Sequence, residues 1–243
     1  MDDARRADAV DAQRGLVQRS HRAEAVGLPS SFVQGADVSD RPPLARLIQG
    51  GRGGEVRLKL FLCMTLIATR APHEIRDPYT PMYWSRLLAL DHNGGSRRVS
   101  VALKWLEDNA FIRREKRSGN LPKIALLDPR TGKPFVRPSK DFVAIPLGLW
   151  DRGWIVDLSA TELAVLLALL HHRGPHRSAR YIPTPTRALY GLSADTWTRA
   201  TKNLTAHGIL TVGRTPQGSE FHFQRMRNTY KLDDTNLSRV ASP

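Results

Sequence analysis

Residues Ser96 to Lys116 read SRRVSVALKWLEDNAFIRREK, and 98 residues further on Ala194 to Arg214 read ADTWTRATKNLTAHGILTVGR. In the first copy Val99, Ala102, Leu103 and Leu106 recur at helical spacing; in the second Trp197, Ala200, Thr201 and Leu204 do. Ala102, Lys104 and Leu106 reappear in type as Ala200, Lys202 and Leu204. Each helix ends at a small residue and passes at once into a short apolar strand, Ala110-Phe111-Ile112 or Gly208-Ile209-Leu210. A basic turn containing Gly or Pro follows, then a second strand.

Upstream of each copy the chain is also similar. Thr80-Pro81 opens a helix over 82–90, Asp91 to Gly95 is a turn, and Ser96 is predicted to cap the helix 97–109. Pro183-Thr184-Pro185 opens a short helix to Tyr190, Gly191 turns the chain, and Ser193 caps the helix 194–207. Before these come two apolar helices, 55–70 and 160–172, the latter begun by a capping box, Ser159 to Glu162. Helix, turn, helix, strand, basic turn, strand is the plan of a winged helix. The predicted fold class is α+β, mainly helical, with two tandem winged-helix domains at 44–128 and 141–233. A disordered or weakly helical basic tail (1–43) precedes them, a basic Pro/Gly linker (129–140) joins them, and a frayed tail (234–243) follows. Gly50 to Gly54 reads as a flexible connector. The helix 55–70 is apolar nearly all round, so it is either the centre of its domain or covered by a second subunit, and a homodimer through it is one expectation.

The chain has 37 Lys and Arg against 23 acidic residues, a formal net charge of +14. Twelve basic and four acidic side chains lie between Arg97 and Lys140. A basic balance concentrated around a helix–turn–helix points to double-stranded DNA. A helix enters the major groove with its N-terminal residues toward the base edges. The candidate DNA-binding residues of the first unit are therefore Arg97, Arg98, Ser100, Val101 and Lys104 on the helix, with Arg113, Lys116, Arg117 and Lys123 on the wing around Arg117 to Pro122. In the second they are Asp195, Thr196, Thr198, Arg199 and Lys202, with Arg214, Thr215 and Gln217 on a wing from Arg214 to Gly218. Cations at the positive end of a helix dipole are disfavoured unless they serve a purpose, which adds weight to Arg97 and Arg98.

Other chemistries find little support. The single cysteine, Cys63, lies in the apolar run LKLFLCMTLIA and reads as a buried helical thiol. That run is too short to span a bilayer and contains Lys59. The N-terminal MDDARRADAVDAQR lacks a signal layout, so a cytoplasmic, nucleoid-associated protein is expected. His171, His172 and His176 lack an acidic or Cys partner at ligand spacing and read as a basic helix end, with no metal. The Gly-rich run at 50–54 lacks the Gly-Lys-Ser/Thr ending of a nucleotide loop. The pairs His73/Arg76 and His222/Arg225 lack the nucleophile spacing of tyrosine recombinases. No enzyme, cofactor or membrane partner is expected.

Three phrases carry a resemblance: Gly50-Gly51-Arg52-Gly53-Gly54-Glu55-Val56-Arg57-Leu58-Lys59, Tyr190-Gly191-Leu192-Ser193-Ala194-Asp195-Thr196-Trp197, and Arg227-Asn228-Thr229-Tyr230. From about Leu44 to Leu232 the chain resembles a family of uncharacterised bacterial tandem winged-helix proteins. The two-unit plan is similar to that of plasmid replication initiators, in which one winged helix contributes to dimerisation and the other reads repeated sites. The expected function is sequence-specific DNA binding as a transcriptional regulator. A replication or partition factor of a plasmid or mobile element is the alternative, and a protein-binding module a third reading.

Overall fold

The computed structural model describes residues 3–50, 52–75, 79–217 and 225–239, with the backbone alone at Arg52 and Gln217. Gly51, Arg76, Gly218, the start of the expected return strand at Phe221, and His222 lie outside the described residues.

The chain opens with helix α1 (Asp3–Ser20), strand β1 (Ala25–Pro29) and short helices α2 (Ser30–Val33) and α3 (Pro43–Leu47). The expected tail is therefore a folded element. Ala9, Gln13, Leu16, Val17 and Ser20 of α1 are buried. Their spacing is helical, but Ala, Gln and Ser make so weak an apolar stripe that composition reads it as solvent-facing. The helix spans the two halves of the molecule. Gln13 Nε2 donates to the Leu87 carbonyl at 2.8 Å, Arg14 Nε to the Asp151 carbonyl at 3.1 Å, and Arg6 Nε to Asp157 at 2.7 Å.

The first repeat follows: α4 (Arg52–Ile67), β2 (Glu74–Ile75), α5 (Pro81–Leu87), α6 (Gly95–Asp108) and the hairpin β3 (Ile112–Arg117) and β4 (Asn120–Leu126). Its three strands are antiparallel in the order β2-β4-β3. The expected connector at 50–54 is a correction, since α4 already begins at Arg52. Gly54 sits so close to the Ile48 carbonyl that a Cβ there would overlap it. From Leu58 to Leu66 every side chain of α4 is buried, against α1, α3, α6 and α9 of the same chain. The all-round apolar character thus marks the centre of the fold, and the expected dimer through this helix loses its basis. Ser96 is not the cap of α6 either: the helix starts two residues earlier than expected, at Gly95, behind Gly94 at φ 128°.

Next come β5 (Phe142–Pro146), α7 (Gly148–Asp151) and α8 (Trp154–Asp157). β5 pairs antiparallel with β1, so the N-terminal segment is stitched into the second half. Residues 129–140, expected as a free linker, are pinned. Leu127 bridges Pro134, Phe135 is buried, and Arg130 pairs with Asp40 at 2.9 Å.

The second repeat is α9 (Ala160–Arg173), β6 (Arg180–Tyr181), α10 (Thr184–Ala188), α11 (Ala194–Ala206) and the hairpin β7 (Leu210–Gln217) and β8 (Arg225–Leu232). Its sheet order, β6-β8-β7, reproduces the first. β7 runs through Arg214, Thr215 and Pro216, so these residues stand in a paired strand where a wing loop was expected. The C-terminal residues are not frayed throughout: α12 (Asp234–Leu237) is capped by Asp233 and buries Leu237.

The two copies agree down to single hydrogen bonds. At the end of α6 the Phe111 and Ala110 N–H groups donate to the Leu106 and Glu107 carbonyls at 2.8 and 3.1 Å. At the end of α11, Ile209 and Gly208 donate to Leu204 and Thr205 at 3.0 and 2.9 Å. These are Schellman caps, which require a left-handed residue. Ala110 holds φ 61° and Gly208 φ 69°. Buried side chains of both repeats and of α1 belong to one continuous core.

Candidate nucleic-acid interface

In α6 the stripe Val99, Ala102, Leu103 and Leu106 is buried, so the opposite face is solvent-exposed. It carries Arg97, Arg98, Ser100, Val101 and Lys104, with Val101 62% exposed. Helix α5 fixes this orientation from below. Gly95 lies so close to Ser85 Oγ that a side chain at 95 would collide with it, so a glycine here lets the two helices pack closely. Lys104 pairs with Asp108 at 3.0 Å and Ser100 Oγ donates to the Ser96 carbonyl. The Arg97 and Arg98 side chains make no ion pair or hydrogen bond among the described residues, although the Arg98 N–H donates to the Gly94 carbonyl at 2.9 Å. They stand at the positive end of a helix with no carboxylate paired to them among the described residues.

The hairpin beside α6 turns at Ser118 and Gly119, where φ is +70°, and Arg117 faces Asn120 in its register. Its charge is less available than the sequence implies. Lys123 is half-buried between Glu74 (2.6 Å) and Glu115 (3.6 Å), Arg113 pairs with Glu115 at 3.1 Å, and Arg114 with Glu107. The Lys123 ammonium, expected to face DNA, is already set against two carboxylates across the sheet. Lys116 is exposed and has no such partner among the described residues, and Arg117 is exposed at the turn. Leu121 is 40% exposed beside it.

In the second repeat Trp197, Ala200, Thr201 and Leu204 are buried. Asp195, Thr198, Arg199 and Lys202 are exposed, but Arg199 pairs with Asp195 at 2.7 Å one turn away. Thr196 belongs to the helix start. Its N–H donates to the cap residue's Ser193 Oγ at 3.1 Å, and the Ser193 hydroxyl donates to Thr196 Oγ1 at 2.9 Å, so the Thr196 hydroxyl is engaged with the cap. Thr198 Oγ1 donates back to the Ala194 carbonyl. Lys202 and Arg214 are exposed cations without an ion pair among the described residues; Thr215 is exposed, and the Gln217 side chain lies outside them.

The chain matches no family model, no curated protein and no solved structure. The phrases singled out in the sequence find structural uses. Tyr190 is buried with its hydroxyl 3.1 Å from His171 Nδ1, Gly191 holds φ 65° against Ala45 and Pro42, and Trp197 Nε1 donates to Tyr230 Oη at 3.3 Å. Lys59 donates to the Val156 carbonyl at 2.9 Å and to Glu55 at 2.8 Å. Burial holds His171 and His172 below the usual histidine range, and His172 Nε2 lies 3.1 Å from the Tyr181 carbonyl. Burial pushes the Cys63 thiol up to about 12, so it stays protonated beside Gln13.

Sequence reasoning missed Arg57. It lies against α6 with its guanidinium carbon 4.2 Å from the centre of the Trp105 ring. Nothing in the spacing joins position 57 to 97 or 105; only the packing of α4 on α6 does. Among the described residues no helix is long and apolar enough to cross a membrane, and no group of three His, Cys, Asp or Glu could hold a metal ion.

Proposed function

We propose that the chain is a tandem winged-helix protein that binds double-stranded DNA, with α6 as the principal reading helix. The observation that carries this is the exposed, unpaired pair Arg97 and Arg98 at the N-terminus of a helix whose other face is locked into the core. Two guanidiniums at that position suit bidentate contact with guanine or phosphate. Lys116 and Arg117 on the neighbouring hairpin extend the cationic surface toward a phosphate backbone. Helix α11 has its Arg199 balanced by Asp195 and contributes less charge, which fits a supporting role on the duplex.

Fluorescence anisotropy with duplexes selected from random sequence tests the reading. Arg97→Ala should cost about 1–3 kcal/mol on the selected site if the residue reads a base, and much less on a scrambled one. Equal affinity for selected and scrambled duplexes would refute sequence-specific binding. Transcriptional regulation is the biological role we favour; immunoprecipitation of bound fragments separates dispersed promoter sites from an array of direct repeats, which would instead mark a replication or partition factor.

A further inference from the structure

A cavity of about 250 Å³ lies between the start of α4 and the exposed side of α6. Its floor is apolar: Val56 and Ala102 are buried and Trp105 is half-buried. Its rim is cationic, from Arg57, Arg97 and Arg98, and no carboxylate among the described residues lines it. Arg57 is laid over Trp105 and donates from Nε to the Gly53 carbonyl at 3.1 Å. Burial lowers its pKa without any anion to oppose the effect. Gathering three guanidiniums around an apolar recess is electrostatically unfavourable in the empty protein, and an anion seated among them reverses the sign.

We propose that this cavity binds a small organic anion, a flat ring system bearing one phosphate or carboxylate, and that its occupancy competes with DNA for Arg97 and Arg98. The size limits the ligand to one or two fused rings, because drug-sized molecules occupy pockets of roughly 300–1,000 Å³. The ring lies against Val56, Ala102 and the Arg57–Trp105 stack, and the anionic group meets the guanidiniums at the rim. A backbone phosphate of DNA satisfies the rim but leaves the apolar floor unfilled, which favours a free ligand as the occupant. The ligand site stands on the cavity alone; the competition rests on the DNA-binding reading above.

The test is isothermal titration of the full chain with 1-naphthyl phosphate as the probe. Inorganic phosphate and 1-naphthalenemethanol serve as head-only and ring-only controls. Saturable one-site binding is expected, at least tenfold weaker for either control and at least tenfold weaker for Arg57→Ala and for the Arg97→Ala/Arg98→Ala pair. A change in tryptophan fluorescence on binding should be lost in Trp105→Phe, a substitution that keeps an aromatic floor. Unfolding midpoints of the variants check that each is folded. No saturation by about 1 mM, the weak end of specific affinity, or binding indifferent to these substitutions in folded variants, overturns the site. Adding the probe to a protein–duplex complex should release the duplex; a duplex retained while the cavity is saturated overturns the competition. A chain that binds the probe but no duplex supports the site and sinks the DNA reading, and a chain that binds duplex but no probe does the opposite.

Discussion

Replacing Gln13 tests whether the N-terminal helix holds the fold together. Its side chain is fully buried, and Nε2 donates to the Leu87 carbonyl at 2.8 Å. Leu87 is the last residue of α5, where carbonyls have no intrahelical donor, and among the described residues no backbone N–H reaches this one. Gln13→Ala leaves that buried acceptor unsatisfied, at about 1–3 kcal/mol. It also withdraws one buried methylene, Cγ, worth about 0.8 kcal/mol. The expected total is roughly 2–4 kcal/mol, a large share of a typical domain's stability. Gln13→Leu keeps the volume but not the donor, and should cost less, about 1–2 kcal/mol. Urea unfolding followed by circular dichroism, with both variants at equal slope, measures the two values. If residues 3–20 were a solvated tail, both substitutions would be silent. A change below about 0.5 kcal/mol for Gln13→Ala, the size expected of surface positions, would refute the docking of α1 and with it the view that this helix joins the two repeats.

Other outcomes follow from single features. Ala110 adopts the left-handed conformation that its counterpart Gly208 supplies without strain, so Ala110→Gly should raise stability by about 0.5–1 kcal/mol in the same urea assay; a loss would show that the Ala110 methyl packs usefully. Lys123 is held by Glu74 and Glu115, so Lys123→Met should leave the salt dependence of DNA affinity unchanged, whereas Lys116→Met should reduce the slope of log K against log salt by about 1. Cys63 should resist a thiol reagent at pH 8 in the native protein and react at once in denaturant, because its thiol is buried and its pKa pushed up to about 12. His171 and His172 have depressed pKa values in the folded state. The unfolded chain therefore takes up protons first. Stability is full above about pH 6.5, the ordinary histidine value, and declines as pH falls through it toward the folded value. The loss between pH 7.5 and 5.5 should shrink in the His171→Gln/His172→Gln variant, and an unchanged loss would assign it to other groups.

The local elements were legible because their causes are local. The stripes Val99–Leu106 and Trp197–Leu204, the caps at Thr80, Ser159 and Ser193, and the stop at Gly208 depend on neighbours within a turn or two, and a mixed helical and strand fold follows from them. The exposure of Arg97, Arg98 and Val101 was readable for the same reason: the buried stripe fixes the opposite face. Burial that depends on distant partners was not readable. Helix α1 looks polar because its inward face mixes Val10, Leu16 and Val17 with Ala, Gln and Ser, and only Leu87, Asp151 and Asp157, between 74 and 151 residues away, reveal it as a clamp. The same holds for charge. Sequence counts Arg113, Lys123 and Arg199 as available cations, while the fold sets a carboxylate against each. Periodicity specifies which face of a helix is apolar; what covers that face, which cations remain unpaired, and that Arg57 meets Trp105 beside Arg97 are set by long-range packing, because burial and ion pairing are properties of the surroundings and not of the residue.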